Sequence, residues 1–205
     1  AIKGNDPDRY DTVISSLNQL IDAHIFRKSD DIDLMKNSFI VNLGQYPKDG
    51  PIAKAIVYFT ISKLNNIYEN LPVQAKDDER VELRHFTIID EAHYMLSFKN
   101  EPLRNLIAVG RNKGMSIILA TQDMESYKND YFDFYTNAYY PIIMKQQSIN
   151  NSIISGLFGG DSRETNEIRQ AISDLQLGEL IIKDNEAAKL GMGKRWKKIK
   201  VTHFI

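Results

Sequence analysis

The feature that most constrains this chain is a short apolar run that ends abruptly in two carboxylates. Residues Phe86 to Ile89 favour a β-strand, and Asp90 and Glu91, the acidic pair, follow them directly. Such a run is typical of a buried strand in a parallel sheet. Because ligands bind beyond the carboxyl ends of these strands, the acidic pair predicts a polar site at this edge. A strand that ends in a solvated Asp-Glu is the alternative.

A second apolar run, Met115 to Ala120, ends in the polar residues Thr121 and Gln122. Between the two runs, residues 102–109 have the apolar spacing of a short helix. A strand, a helix and a strand in this order form a crossover that places the two strands parallel and close together. We therefore expect Gln122 and the acidic pair to line one crevice.

Two adjacent carboxylates can divide the work of nucleoside triphosphate hydrolysis. Asp90 would hold Mg²⁺, usually through water, and Glu91 would orient or deprotonate the attacking water. An amide such as Gln122 would contact the γ-phosphate or that water without competing for the metal. The pattern thus indicates a magnesium-dependent hydrolase, although short motifs of this kind also occur by chance.

Three motifs in this order resemble the HerA/FtsK-type DNA-pumping ATPases. They are Ile-Ile-Asp-Glu-Ala-His at 88–93, Gly-Arg-Asn-Lys-Gly at 110–114 and Leu-Ala-Thr-Gln at 119–122. The resemblance runs from about Ser38 to the C-terminus and includes Leu-Gln-Leu-Gly-Glu-Leu-Ile-Ile at 175–182. It implies an α/β fold, a RecA-like P-loop NTPase core with a mainly parallel sheet flanked by helices. Residues 1–205 would form one domain, with a helical segment at 1–37, the core at 38–145 and C-terminal helices and a β-hairpin at 146–205.

The resemblance also implies a function and its residues. ATP and Mg²⁺ would be the cofactors and DNA the partner, with hydrolysis between the subunits of a homo-oligomeric, usually hexameric, ring. Asp90 and Glu91 match the Walker B pair, Gln122 matches the polar sensor with Thr121 beside the nucleotide, and Arg111 matches an arginine that acts on the neighbouring subunit's nucleotide. HerA-like proteins include helicase subunits of prokaryotic DNA defence, such as the DptH type of phosphorothioate-dependent restriction. Partner nuclease or restriction subunits are therefore a further expectation.

One motif of these motors is absent from the sequence. They need a phosphate-binding loop, Gly-x-x-x-x-Gly-Lys-Ser/Thr, upstream of the acidic pair. The chain has a single Gly-Lys pair, Gly193-Lys194, which is followed by Arg195 and lies downstream. We therefore expect the chain to be the C-terminal part of a longer ATPase, and to be inactive alone because nothing in it cradles the β- and γ-phosphates.

Two other function classes remain open. The string Asp-Glu-Ala-His also occurs in superfamily-two, DEAH-box-like helicases, where a Ser/Thr-Ala-Thr motif and a second RecA-like domain would follow. Here Ala120-Thr121-Gln122 ends in glutamine, and the 83 residues that follow are too few for an ordinary second motor domain. The remaining class is a non-catalytic scaffold with a vestigial site, which would bind a partner protein and ignore ATP.

The composition is more informative about the cellular compartment than about the binding partner. The net charge is −1, so bulk charge does not by itself predict a nucleic-acid partner, although a locally basic loop can serve one. There are no cysteines, which excludes disulfides and thiolate metal sites and suits a reducing compartment. No apolar run reaches the length of a membrane span, so we expect a cytoplasmic protein without a membrane partner.

Apolar spacing predicts the remaining elements. In chain order they are a helix over 8–26 with one buried face, a strand over 38–43, a helix over 51–70, a strand over 138–144, helices over 149–158 and 162–174, and a hairpin of strands 178–183 and 194–205. Asp49 is expected to cap the second helix. By the resemblance, strand 138–144 is the next core strand of the motor.

Three further features have more than one interpretation. His93 is either a relay to the γ-phosphate region or a residue with a local packing or hydrogen-bonding role. Arg104 lies on a predicted helix, where a solvated position is the ordinary explanation. The basic residues around Trp196 predict either contact with a phosphate backbone or a charged edge strand that guards against aggregation.

Overall fold

The computed structural model describes residues 11–24, 33–74, 81–128, 130, 132–147 and 149–202. It has mixed α/β structure and forms two compact units, an N-terminal unit within residues 1–121 and a C-terminal unit within residues 122–205. A parallel sheet of two strands belongs to the first unit, and an antiparallel sheet of three strands belongs to the second.

The N-terminal unit is built around a strand, a helix and a strand. Its elements are α1 (Thr12–Asp22), α2 (Pro51–Glu69), β1 (His85–Ile89), α3 (His93–Leu96), α4 (Glu101–Val109), a 3₁₀ turn (Gly110–Lys113) and β2 (Met115–Leu119). β1 and β2 pair in parallel, with His85 opposite Met115 and Ile89 opposite Leu119. The predicted parallel pair and its connecting helix are therefore confirmed.

Helix α4 connects the two strands and buries the face that its sequence predicts. Leu103 and Leu106 are almost fully enclosed. Asn100 caps the helix, since its side-chain oxygen accepts a hydrogen bond from the Leu103 amide at 3.1 Å. Pro102 stands in the first turn, where a missing N–H costs nothing. The cap determines where the crossover helix begins, and the apolar face determines which side of the helix is buried.

One face of the parallel sheet is open. Phe86 and Ile88 are 50% and 62% exposed, and Ile118, which lies opposite Ile88, is exposed as well. Parallel sheets are ordinarily covered on both faces. Two parallel strands with an open face are a smaller sheet than a RecA-like core has, so the structure shows an α/β arrangement and does not confirm that core.

The prediction that α1 buries one face is wrong. Val13, Leu17 and Ile21 form an apolar stripe that is 50% to 60% exposed, and no residue of the helix is buried. The stripe follows the helical period, but burial needs a partner along its whole length, and the contact of α1 with α2 leaves the stripe exposed. Residues 8–10 and 25–26 of the predicted helix lie outside the described residues.

The predicted strand over 38–43 is also wrong. The segment is irregular, and Ile40 is 94% exposed. A strand needs a neighbour for its backbone hydrogen bonds, and among the described residues no sheet pairing includes this segment. The Asn42 side chain accepts a hydrogen bond from the Gly44 amide at 2.9 Å, which forms a turn at the end of the run.

Helix α2 has the predicted start but a different cap. Gly50, with an extended backbone, occupies the N-cap position and Pro51 is the first helical residue, so Asp49 lies one residue too early to cap it. The helix is 19 residues long, yet no helix in the described ranges has both the length and the apolarity of a membrane span.

The C-terminal unit contains the antiparallel sheet. Its elements are a 3₁₀ turn (Met124–Tyr127), α5 (Phe134–Asn137), β3 (Ile142–Ile143), α6 (Asn151–Phe158), α7 (Ser162–Ser173), β4 (Glu179–Lys183), α8 (Asn185–Leu190) and β5 (Trp196–Lys200). The sheet order is β3-β4-β5, and both pairings are antiparallel. The C-terminal hairpin is confirmed, with α8 in its connection.

The predicted strand over 138–144 is reduced to β3, which has two residues. Pro141 precedes it directly and cannot donate a backbone hydrogen bond, which ends the pairing on that side. β3 pairs antiparallel with β4 rather than as a further parallel strand. Among the described strands β1 and β2 alone run parallel, so the prediction of a mainly parallel sheet is not confirmed.

The core of the C-terminal unit is almost entirely aliphatic and well enclosed. Its buried members are Ile143, Ile153, Ile154, Leu157, Phe158, Ile168, Ile172, Leu175 and Ile181. Gly159, in a conformation with positive φ, ends α6 as its position predicts. Asp161 caps α7 by accepting a hydrogen bond from the Glu164 amide at 2.9 Å.

Candidate active site

The ends of β1 and β2 are held together beyond their last strand residues. The Ala120 amide donates to the Ile89 carbonyl at 2.9 Å, and the Ala92 amide donates to the Ala120 carbonyl at 2.8 Å. The acidic pair lies between these two bonds along the chain. The N-terminal unit thus brings Asp90 and Glu91 to the sheet edge at which β2 ends, two residues before Thr121.

The backbone of Glu91 has an uncommon conformation. Its φ is +50°, in the left-handed region, where residues other than glycine rarely lie. A conformation of this kind costs on the order of 1–3 kcal/mol and persists where the surroundings hold it. Here Ala92, the next residue, is fully buried. The backbone strain therefore falls on the residue predicted to activate water.

His93 joins Glu91 to Thr121. Its Nδ1 lies 3.3 Å from Oε2 of Glu91 and 3.1 Å from Oγ1 of Thr121. The side chains of Glu91 and His93 are 28% and 23% exposed, and Oε2 of Glu91 is itself out of contact with solvent. The imidazole also packs on the Tyr94 ring, with 4.1 Å between the ring centroids.

These contacts identify a residue whose role the sequence left open. His93 lies two positions after Glu91, in the turn that starts α3, and only the fold shows that Thr121 lies beside it. The signal in the sequence was its place in the string Asp-Glu-Ala-His.

Arg111 lies at the other edge of the sheet. It belongs to the 3₁₀ turn that leads into β2. Met115, the first residue of β2, pairs with the first residue of β1, so this turn lies where both strands begin. Each strand has five residues, so roughly 13 Å separates this edge from the acidic pair at about 3.3 Å per residue. The structure therefore does not bring the exposed Arg111 together with Asp90 and Glu91 of its own chain.

Gln122 belongs to the C-terminal unit. There it lines an open cavity of about 460 Å³ together with Asp123, Met124, Glu125, Gln146, Ile149, Asn150 and Ile153. The crevice predicted for Gln122 and the acidic pair stays a prediction.

Asp90 is a single carboxylate at the carboxyl end of β1. Its side chain is exposed, and one carboxylate oxygen accepts a hydrogen bond from the Glu91 amide at 3.0 Å. In the described ranges no group of three or more His, Cys, Asp or Glu side chains could hold a metal. Mg²⁺ is often held by one or two carboxylates together with waters and substrate phosphates, so magnesium at Asp90 stays a prediction.

The basic residues around Trp196 lie against carboxylates. Lys194 pairs with Glu167, Arg195 with Glu164, Lys197 with Asp184 and Lys198 with Glu179, at N–O distances of 3.7, 3.7, 2.6 and 2.6 Å. Charges that are compensated locally attract a phosphate backbone weakly. The structure therefore favours the charged edge strand over the nucleic-acid surface.

Asp184 supports a pH-dependent stabilisation of this hairpin. The Lys197 ammonium, and then the Ala187 amide, hold the pKa of the Asp184 carboxyl below its ordinary value of 3.8. A lowered pKa stabilises the fold above the unfolded-state value, and this stabilisation is lost as the pH falls through the folded-state value. We expect Asp184→Ala to lower Tm at pH 7. Below pH 3.8 the difference from wild type should shrink to the part that a neutral side chain still supplies by capping α8.

Thermal unfolding followed by circular dichroism from pH 7 to pH 2 measures this effect. Asp184→Asn is the matched control, because its amide oxygen can still accept the hydrogen bonds that cap α8 and only the charge is lost. Its Tm is expected between those of Asp184→Ala and wild type at pH 7. A difference between Asp184→Ala and wild type that stays constant down to pH 2 would contradict the role given to the carboxylate charge.

No protein-family model and no curated protein matches this chain.

Proposed function

We propose that this chain carries the Walker B part of an ATP-driven DNA translocase or helicase of HerA/FtsK type, acting in prokaryotic DNA restriction or defence. The observation that carries the proposal is the pair of parallel strands whose carboxyl ends place Glu91, through His93, beside Thr121. Ligand sites of open α/β sheets lie at this edge. The phosphate-binding loop would come from outside these 205 residues.

The residues of the site divide the hydrolysis between them. Asp90 would hold Mg²⁺ through water, and the ion would supply positive charge to the β- and γ-phosphates. Glu91 orients the attacking water and accepts its proton. Thr121 lies two residues beyond the end of β2, and its hydroxyl would contact the γ-phosphate.

The position of Arg111 supports a site shared between subunits. Since it lies at the opposite sheet edge from the acidic pair, Arg111 serves the nucleotide of a neighbouring copy rather than its own. An arginine supplied in this way stabilises the charge of the phosphoryl-transfer transition state. A homo-oligomeric ring would place each Arg111 against the next subunit's acidic pair.

Mixing two inactive variants tests this shared site. In the full-length protein, Arg111→Ala is expected to lower ATP turnover about 10³-fold, the usual effect of removing such an arginine. Glu91→Gln subunits retain Arg111, and Arg111→Ala subunits retain Glu91. Equal mixing should therefore restore up to about a quarter of wild-type turnover, because about one interface in four pairs the two intact residues.

Arg104→Ala is the matched control for the mixing experiment. Arg104 lies on α4 and pairs with Glu101 at 3.0 Å, so its loss should leave turnover close to wild type. Undiminished turnover in Arg111→Ala, or a mixture that assembles but stays inactive, would exclude the shared site. Undiminished turnover by a monomer would favour the superfamily-two helicase.

A further inference from the structure

We infer that His93 is a positioning residue that couples the Glu91 carboxylate to the Thr121 hydroxyl, so that the residue facing the γ-phosphate controls the residue that orients water. This inference rests on the proposed function, because it assigns a task to the same site. It concerns the link between sensing ATP and hydrolysing it.

The first argument is the geometry of a single nitrogen. Nδ1 of His93 lies 3.3 Å from Oε2 of Glu91 and 3.1 Å from Oγ1 of Thr121. The hydrogen bond of Nδ1 is made with Oγ1 of Thr121, and Oε2 of Glu91 lies at ion-pair distance from the same nitrogen. An ionised carboxylate can only accept hydrogen bonds, so a hydrogen on Nδ1 can serve either oxygen, and Thr121 competes with Glu91 for it.

The second argument is the confinement of Glu91. Its backbone has a φ of +50°, and Oε2 is out of contact with solvent, so the imidazole rather than water lies beside that oxygen. An imidazole nitrogen at ion-pair distance restricts the orientations in which the carboxylate can meet the attacking water. Without that nitrogen the imidazole's place beside Oε2 would hold no potential donor, and the side chain would turn toward solvent.

The third argument is the place of Thr121 in the chain. It lies two residues beyond the end of β2, and the residue between them, Ala120, both donates to Ile89 and accepts from Ala92. These backbone hydrogen bonds hold the two strand ends at a fixed distance. Only the orientations of the side chains can therefore change. When the Thr121 hydroxyl binds a γ-phosphate, Oγ1 competes differently for the hydrogen on Nδ1 of His93. The interaction between His93 and the Glu91 carboxylate then changes as well.

His93 also packs on the ring of Tyr94, which gives it a purely structural alternative role. Two substitutions separate the roles. His93→Phe keeps an aromatic ring against Tyr94 and removes the nitrogen. His93→Asn removes the ring and places an amide that can donate near the position of Nδ1.

The experiment measures kcat and KM for ATP hydrolysis, and separately the affinity for a fluorescent ATP analogue, in the full-length protein with double-stranded DNA present. We expect His93→Phe to lower kcat about tenfold to a hundredfold, the usual effect of a misplaced reacting group, with KM and analogue affinity unchanged. His93→Asn should stay within about threefold of wild-type kcat, since the donated hydrogen bond is kept.

Thr121→Val supplies a second test, whose single variant leaves His93 in place. It removes the hydroxyl and keeps the shape of the side chain. We expect it to lower kcat, and the double variant Thr121→Val with His93→Phe to be no slower than the slower single variant, since coupled residues are not additive. Wild-type kcat in His93→Phe, or a double variant whose losses multiply, would overturn the inference. Absence of turnover in the wild-type protein would overturn the proposed function, and this inference with it.

Discussion

Replacement of Glu91 by glutamine in the full-length protein is expected to abolish ATP turnover and to leave nucleotide binding largely intact. The amide keeps the size of the side chain, and its carbonyl oxygen can still accept from His93, but it cannot take a proton from water. Loss of a general base lowers rates by about 10²- to 10⁴-fold. Steady-state hydrolysis and titration with a fluorescent ATP analogue measure the two quantities separately.

Glu186→Gln is the matched control for this prediction. Glu186 is an exposed carboxylate in the first turn of α8, so the same chemical change there should leave turnover unaltered. Full activity in Glu91→Gln would remove Glu91 from the mechanism. Loss of analogue binding together with turnover would show that the change perturbs the site as a whole.

The second large effect is expected at Gly114, which precedes β2. Its φ is +83°, and a Cβ at this position would meet the Glu82 carbonyl oxygen and the Gln74 side-chain amide. The Gly114 carbonyl accepts from the Arg84 and His85 amides at 2.7 and 3.1 Å, and thereby holds the start of β1. Gly114→Ala must displace backbone that the strand pair needs, and we expect it to lower the free energy of unfolding by about 3 kcal/mol.

Gly191→Ala separates the clash from the cost of the conformation. Gly191 has a similar φ of +63°, and a Cβ there would meet nothing within 4 Å. Its substitution should cost about 1 kcal/mol, the ordinary cost of a left-handed alanine. Urea unfolding followed by circular dichroism measures both losses. Equal losses in the two variants would show that the contacts around Gly114 yield easily.

The elements that the sequence predicts correctly are those whose signals are local. The apolar runs of β1 and β2 end in polar residues, and α4 has both a cap and a 3.6-residue period, so its strand–helix–strand unit is visible without a structure. The predictions that fail need a partner. The stripe of α1 and the apolar run at 38–43 have the composition of buried elements, yet both are exposed in the structure. Their sequence pattern does not show whether another element covers them, so the predictions failed.

The same distinction applies to the candidate site. The positions of Asp90, Glu91 and Thr121 at one sheet edge follow from where their strands end, and that of Arg111 at the other edge follows from its place before β2. The contact between His93 and Thr121 joins residues 28 positions apart. Spacing along the chain does not predict side-chain contacts across two strands, and the sequence therefore left His93 with two interpretations.

The most direct measurement is ATP hydrolysis by the protein as its gene encodes it, with and without double-stranded DNA, beside residues 1–205 alone. We predict Mg²⁺-dependent hydrolysis that DNA stimulates in the full-length protein. We predict none in residues 1–205, which contain no phosphate-binding loop. If the full-length protein neither hydrolyses ATP nor responds to DNA, Asp90 and Glu91 are relics of a site, and the chain is a non-catalytic scaffold.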